Sequence, residues 1–520
     1  MPLSRFYLPR PSAGLLLALW IASGVSESAT YYVSPDGNDA WSGTSPDSAF
    51  ASFQHAADIV LADDSVIGLD GDYAGFDLRT SGTQSAPIVF HCPGGSVWID
   101  AENPVTPDGI NIEGADWVTV SGFNVTGIDR NGIRAALGGH ITITGCYCEH
   151  CYERGIFTAF VDHAVIEENE CCYSTDEHGI YHSNSGDYPS IRFNRCHHNN
   201  ACGIHMNGDL SAGGDGTISF ATVEGNTVWE NGAGGGGSGI NCDCVVESDF
   251  FNNLLYGNHA SGISLYRIDG ASGSTGNRVF NNTVVQPSDG RWCININTGS
   301  TDNRLLNNIL LNAHSWRGSI AIDASSHAGF QSDYNAVQDR LSADGGDTVI
   351  PLADWQQLGW DLCSMLADDW GDIFVDWQSG DFHLEQSSQA VDGGSAEAAS
   401  LVLYDLDWVP RPQMITWDIG CYELCPEGLE PPGAQQPGGG PAWQASPGCV
   451  VFTGLGPGCR VDVLDLTGRL VASLGPALSG SLAWNGSGKP VGIYLVRVSS
   501  HSGETLAAGT ALMLRSRAGR

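Results

Sequence analysis

The chain has almost no lysine. Lys489 stands alone in 520 residues, so the first 488 residues contain no lysine that could serve as a catalytic base. Charged residues of any kind make up only 16%, and acids outnumber bases 59 to 22. A net charge of −37 excludes a nucleic-acid partner, because a phosphate backbone is held by clustered Lys and Arg. After the first 29 residues no apolar run is long enough to cross a bilayer, so no membrane span is expected. Glycine, in contrast, is abundant at 68 residues without a collagen period, which predicts many turns.

The N-terminus reads as an export signal over residues 1–29. Arg5 and Arg10 give it a basic start, Ala13 to Val25 is apolar but short, and small residues follow at Ser26, Ser28 and Ala29. A secreted or cell-surface protein of bacterial type is expected. In an exported chain the 16 cysteines suggest disulfides or buried thiols. Cys148-x-x-Cys151 lacks the matching second pair of a zinc site.

Internal repeats organise the middle of the chain. Gly-Ile recurs as Gly132-Ile133, Gly155-Ile156, Gly179-Ile180, Gly203-Ile204, Gly239-Ile240 and Gly262-Ile263, at spacings of 23, 24, 24, 36 and 23. A second ladder runs through Asn169, Asn194, Asn226, Asn253, Asn282 and Asn308. Apolar residues stand three before and two after each of these, as Ile166 and Cys171 do around Asn169. One coil per repeat explains both ladders: short strands stack in parallel, alternate side chains point inward, and asparagine recurs at a bend where its amide can bond its neighbour. Cys148, Cys171 and Cys196 fall in one inward column, close enough for either disulfides or a stack of thiols. His182 falls inward, level with Met206, and reads as a core histidine; His197 and His198 receive no role.

This pattern resembles the pectate-lyase-like superfamily of right-handed parallel β-helices, over residues 30–425. The opening Tyr31-Tyr32-Val33-Ser34-Pro35-Asp36-Gly37 and Ser52-Phe53-Gln54-His55 looks like the start of such proteins, a strand leading into a helix that caps the solenoid. Trp417-Asp418-Ile419-Gly420-Cys421-Tyr422-Glu423 looks like their closing segment. Residues 426–447 are rich in Pro and Gly and read as a linker. Residues 448–520 alternate short strands with Gly turns, which predicts a small antiparallel sandwich. That segment resembles the Ig-like C-terminal domain of flagellar hook-capping proteins and type IX secretion sorting domains, implying contact with secretion machinery. Cys449 and Cys459 could staple it.

Strand parity gathers an outward patch. His178, Tyr181, His205 and Asp176 are the candidate catalytic residues. Arg154, Asn207, Asn241, Asp243, Tyr266 and Arg267 are the candidate substrate contacts. Glycine-rich insertions at 209–217, 232–238 and 269–276 border them as groove walls, and Asp209 and Asp243 are possible calcium ligands. Tyr173-x-x-Asp176-x-His178 is similar to a motif of mannuronan C5-epimerases, with Glu177 where that motif carries proline. The resemblance implies an extracellular polysaccharide partner and removal of a uronate C5 proton by His or Tyr, once arginine or calcium neutralises the carboxylate. A lyase or epimerase is the first reading. The alternatives are a glycoside hydrolase, which needs two facing carboxylates from Asp176, Asp209 and Asp243, and a non-catalytic glycan-binding or adhesion protein.

Overall fold

The computed structural model describes residues 28–425 and seven strands between Ala442 and Met513. The fold is an all-β right-handed parallel β-helix. Each coil lays down short strands on three faces. Two of these stacks merge into a 22-stranded sheet, and the third forms a 12-stranded sheet. Register follows the Gly-Ile ladder: Ile133, Ile156, Ile180, Ile204, Ile240 and Ile263 pair in sequence, and the column continues through Ile294 and Ile320. All are fully buried and form the spine of the core.

The asparagine ladder occupies one bend, as expected. Each amide Nδ2 donates to the Oδ1 of the next asparagine at 2.9 or 3.0 Å from Asn169 through Asn308, and Asn335 extends the ladder. The left-handed torsion belongs to the residue before each rung, such as Glu168, Phe193, Asn252, Asn281 and Asn307, with φ between 51° and 57°. A second ladder, Asn199–Asn231–Asn258, holds the bend that follows the third face, with rungs of 2.9 and 3.0 Å.

Helix Phe53–Ile59 covers the N-terminal end. Ser52 caps it by accepting the His55 N–H, and Phe53 packs against Tyr73, Phe76 and Phe123. The closing segment lies along the outside of the third sheet, where Ile419, Cys421 and Phe382 bury Leu254, Ile309 and Leu311. Arg411 anchors it from a fully buried position, bonded to Glu423 at 3.0 Å and to the Gly420 carbonyl at 2.8 Å.

Of the two readings of the cysteine column, the stack of thiols, not the disulfides, is what the structure holds. Cys148, Cys171 and Cys196 form a stack of free, buried thiols in parallel register. Alternation in the strand explains this: these thiols point into an apolar interior already close-packed by Ile and Val columns, where a thiol serves as a small hydrophobe. His182 is a core histidine, its Nδ1 at 2.7 Å from Thr158 Oγ1 and its Nε2 at 2.8 Å from the Gly186 carbonyl.

Two antiparallel sheets lie between residues 442 and 513, one of three strands and one of four. Residues 1–27 of the expected export signal, most of the linker and the side chains of Cys449 and Cys459 lie outside the described residues. Among the described residues no helix is long and apolar enough to cross a membrane.

The closing segment carries a titrating clamp. His383 lies between Asp381 Oδ1 at 2.6 Å and Asp407 Oδ2 at 2.7 Å, and stacks on Tyr422. The Asp407 hydrogen bond, with that of Asp381, raises its pKa to about 9 against the opposing effect of burial. The unfolded value is about 6.5. The folded pKa is the higher, so the clamp's contribution is complete below the unfolded value and is lost as pH rises through 9. Melting temperatures of the wild type should therefore fall across this window, and His383→Gln should flatten that part of the profile. A variant with an unchanged slope would remove His383 as its source.

Candidate functional site

The outward column of the first face runs Phe157, Tyr181, His205, Asn241, Ser264, Asn295 in pairwise register. The expected triad is assembled. His205 stacks face to face on Tyr181 with centroids 4.6 Å apart, and His178 stands edge-on to both at 4.6 and 5.2 Å. Asn207 Nδ2 donates to Tyr181 Oη at 3.2 Å.

The proton positions follow from a backbone contact. His178 Nδ1 accepts the Cys202 N–H at 3.1 Å, so a neutral His178 carries its hydrogen on Nε2. That hydrogen goes to His205 Nδ1 at 3.0 Å, which leaves His205 protonated on Nε2. His205 Nε2 is closed off from solvent without a protein partner. Both rings are neutral: burial, reinforced by His205 and Arg154, holds His178 well below the ordinary histidine range, and burial with Arg154 lowers His205 to about 3. Every ring lone pair in this dyad is engaged. Its one remaining donor, the His205 Nε2–H, is sealed from solvent, so the dyad as folded offers a substrate neither a lone pair nor a reachable donor.

Several expected contacts have other duties. Arg154 is bonded to Glu177 at 2.6 Å and to Glu153 at 2.6 Å, and its guanidinium lies over the Phe157 and Tyr181 rings. Its charge is cancelled locally. Asp243 is buried and accepts the N–H groups of Ile268, Asp269 and Gly270, which folds the loop after Arg267 into place. Asp209 caps the turn Leu210–Ala212 by accepting the Ser211 N–H and hydroxyl. Asp243 faces N–H donors, the wrong polarity for a cation site. Asp176 is exposed, while Tyr173 lies at a left-handed bend, stacked on His150 and in tilted contact with His198 rather than with His178.

A groove of about 610 Å³ opens on the next coils of the same face. Its floor includes Asn241, Ser264 and Asn295. One wall carries Tyr266 and Arg267, the other Arg291, Trp292, Trp316 and Arg317. Asn241 Nδ2 donates to Tyr266 Oη at 2.6 Å. From Arg79 to Arg411, every arginine except Arg267, Arg291, Arg317 and Arg340 is ion-paired to a carboxylate. Arg340 donates to backbone carbonyls. The other three line this groove. Asn241, Tyr266 and Arg267 were legible in the sequence; Arg291, Trp292, Asn295, Trp316 and Arg317 were not. Gly-Ile becomes Cys293-Ile294 and Ser319-Ile320 here, and the asparagine offset was the signal that would have extended the column.

These features define a parallel β-helix with a basic, aromatic-walled groove on one face. Residues 108–284 match the family model described as the right handed beta helix region. Among solved structures, pectate lyase Pel9A aligns with a TM-score of 0.52 at 16% identity, covering 77% of this chain and 97% of that one. A rhamnogalacturonan lyase aligns at 0.44 with 15% identity over 59% and 87% of the two chains. An alginate lyase from Paenibacillus sp. aligns at 0.41 with 16% identity over 56% and 95%. At such identities the likeness to Pel9A is one of fold. No curated protein sequence matches the chain.

Proposed function

We propose that this protein binds an acidic, uronate-bearing polysaccharide in the groove and acts on it by removing a uronate C5 proton, as a lyase or epimerase. The observation that carries the reading is the gathering of Arg267, Arg291 and Arg317 in one groove of a chain whose net charge is −37. Arginine forks neutralise a carboxylate bidentately, which is what acidifies the neighbouring C–H. Trp316, 44% exposed, offers a face on which a sugar ring can stack. The Asp347 carboxylate and the Tyr266 phenol, both in the groove lining, are the groups able to exchange the proton. The likeness to a pectate lyase structure supports the substrate class as analogy only.

A hydrolase finds less support, because Asp209 and Asp243 anchor loops and the groove lining contains one carboxylate, Asp347. The engaged lone pairs of the dyad favour a second reading, a groove that binds glycan without turning it over. Incubation with acidic and neutral polysaccharides separates these. Ultraviolet-absorbing unsaturated ends or a changed epimer ratio by proton NMR, from acidic polymers alone, is the expected result. Reducing ends without unsaturation would mean hydrolysis, and binding without product would mean the second reading.

A further inference from the structure

On the outer face of the third stack, a different face from the groove, Glu170, Cys172 and His197 converge. Glu170 and Cys172 are two apart on strand Glu170–Cys172 and share its outer side. Register sets His197 beside Cys172 on the next coil. One ligand atom from each lies within 4.8 Å of the others, and His197 Nε2 is 3.1 Å from Glu170 Oε1. Each group is also held from behind. Arg195 Nε bonds Glu170 Oε2 at 3.1 Å. The His197 ring lies on Trp229, with centroids 4.1 Å apart. Cys172 Sγ contacts Tyr147 Oη at 3.7 Å, and that phenol donates to Glu149 Oε2 at 2.8 Å.

The tautomers allow ligation here. His197 Nδ1 and His198 Nδ1 are 2.9 Å apart and share one hydrogen. With that hydrogen on His197, its Nε2 is a lone pair facing a carboxylate oxygen, and a cation between them satisfies both. Cys202, His178 and His205 are clustered as closely, yet there the Cys202 N–H fixes His178 Nδ1 as acceptor and keeps a hydrogen on Nε2.

We propose that Glu170, Cys172 and His197 form a binding site for a borderline-soft divalent metal of the zinc class, joining two coils of the solenoid. A thiolate, an imidazole and a carboxylate suit zinc over calcium or magnesium, which take oxygen ligands. Thiolate and carboxylate together balance the charge of the ion. The Cys172 thiol proton is released to solvent on binding, and water fills the fourth position.

The test titrates the full chain with zinc and with cobalt. Wild type should bind zinc in a saturable 1:1 step by calorimetry, give a thiolate-to-cobalt charge-transfer band, and lose alkylation of Cys172 by mass spectrometry when zinc is present. Cys172→Ser should abolish the band, and His197→Gln should weaken zinc binding by about 10-fold or more. Cys202→Ser should bind as wild type does. A wild type without the cobalt band and without protection of Cys172 overturns the site, whatever the variants do. So does a folded Cys172→Ser that keeps wild-type affinity.

Discussion

Replacing Arg291 and Arg317 together by alanine is expected to weaken binding of an acidic polysaccharide by about 10²- to 10⁴-fold. A hydrogen bond to a charged group contributes about 1.5–3 kcal/mol, and about 1.4 kcal/mol is tenfold in affinity. The two residues stand at equivalent places on consecutive coils, three before Ile294 and Ile320, which pair directly. They can therefore meet acidic groups on one bound chain. Neither is ion-paired, so removal uncovers no protein carboxylate, and stability should change by about 0.5 kcal/mol or less. Arg278→Ala is the control: it is paired to Asp249 on another face and should leave binding unchanged. High salt should reproduce part of the loss in the wild type. Isothermal calorimetry with one acidic and one neutral polymer measures all of this. Equal binding of the acidic polymer by the double variant would remove the groove from the proposed function.

The fold was legible because a solenoid writes its register into the sequence. The offset between each ladder asparagine and its apolar neighbours survives insertions, including the 36-residue step between Gly203 and Gly239. Strand parity then places Tyr181, His205 and Asn241 in one outward column, as the pairing bears out. What parity cannot supply is what a loop does after it leaves the strand. Asp243 has outward parity, yet the backbone of 268–270 folds over it and takes both carboxylate oxygens. Arg154 looks free in the sequence because its partner Glu177 arrives a full coil later in the chain. Tyr173 and His178 are close in sequence, but a left-handed residue at Tyr173 sends the chain round a corner between them. The three-residue match to the epimerase motif therefore does not gather its members into one site.

The asparagine ladder is expected to contribute more to stability than any single outward residue. Asn253 is fully buried. Its Nδ2 donates to Asn282 Oδ1 and to the Val223 carbonyl, both at 2.9 Å. Its Oδ1 accepts the Asn226 N–H at 3.0 Å and the Asn226 Nδ2 at 2.9 Å. Asn253→Ala deletes one rung and strands polar groups on both neighbouring coils in an interior that water does not reach. A buried group left without its partner costs about 1–3 kcal/mol, and partial relaxation around the gap brings the total to about 3–5 kcal/mol. Because each coil touches only its neighbours, the damage should be local in origin but felt as a weak interface in the stack. Denaturant unfolding should show either a lower midpoint or a split transition, with the N-terminal coils separating from those after Asn282. Asn231→Ala tests whether the second ladder is equivalent, since Asn231 donates to Asn258 and accepts from Asn199 in the same way. If Asn253→Ala costs less than about 1 kcal/mol, the ladder follows the coil geometry set by the apolar columns rather than helping to impose it.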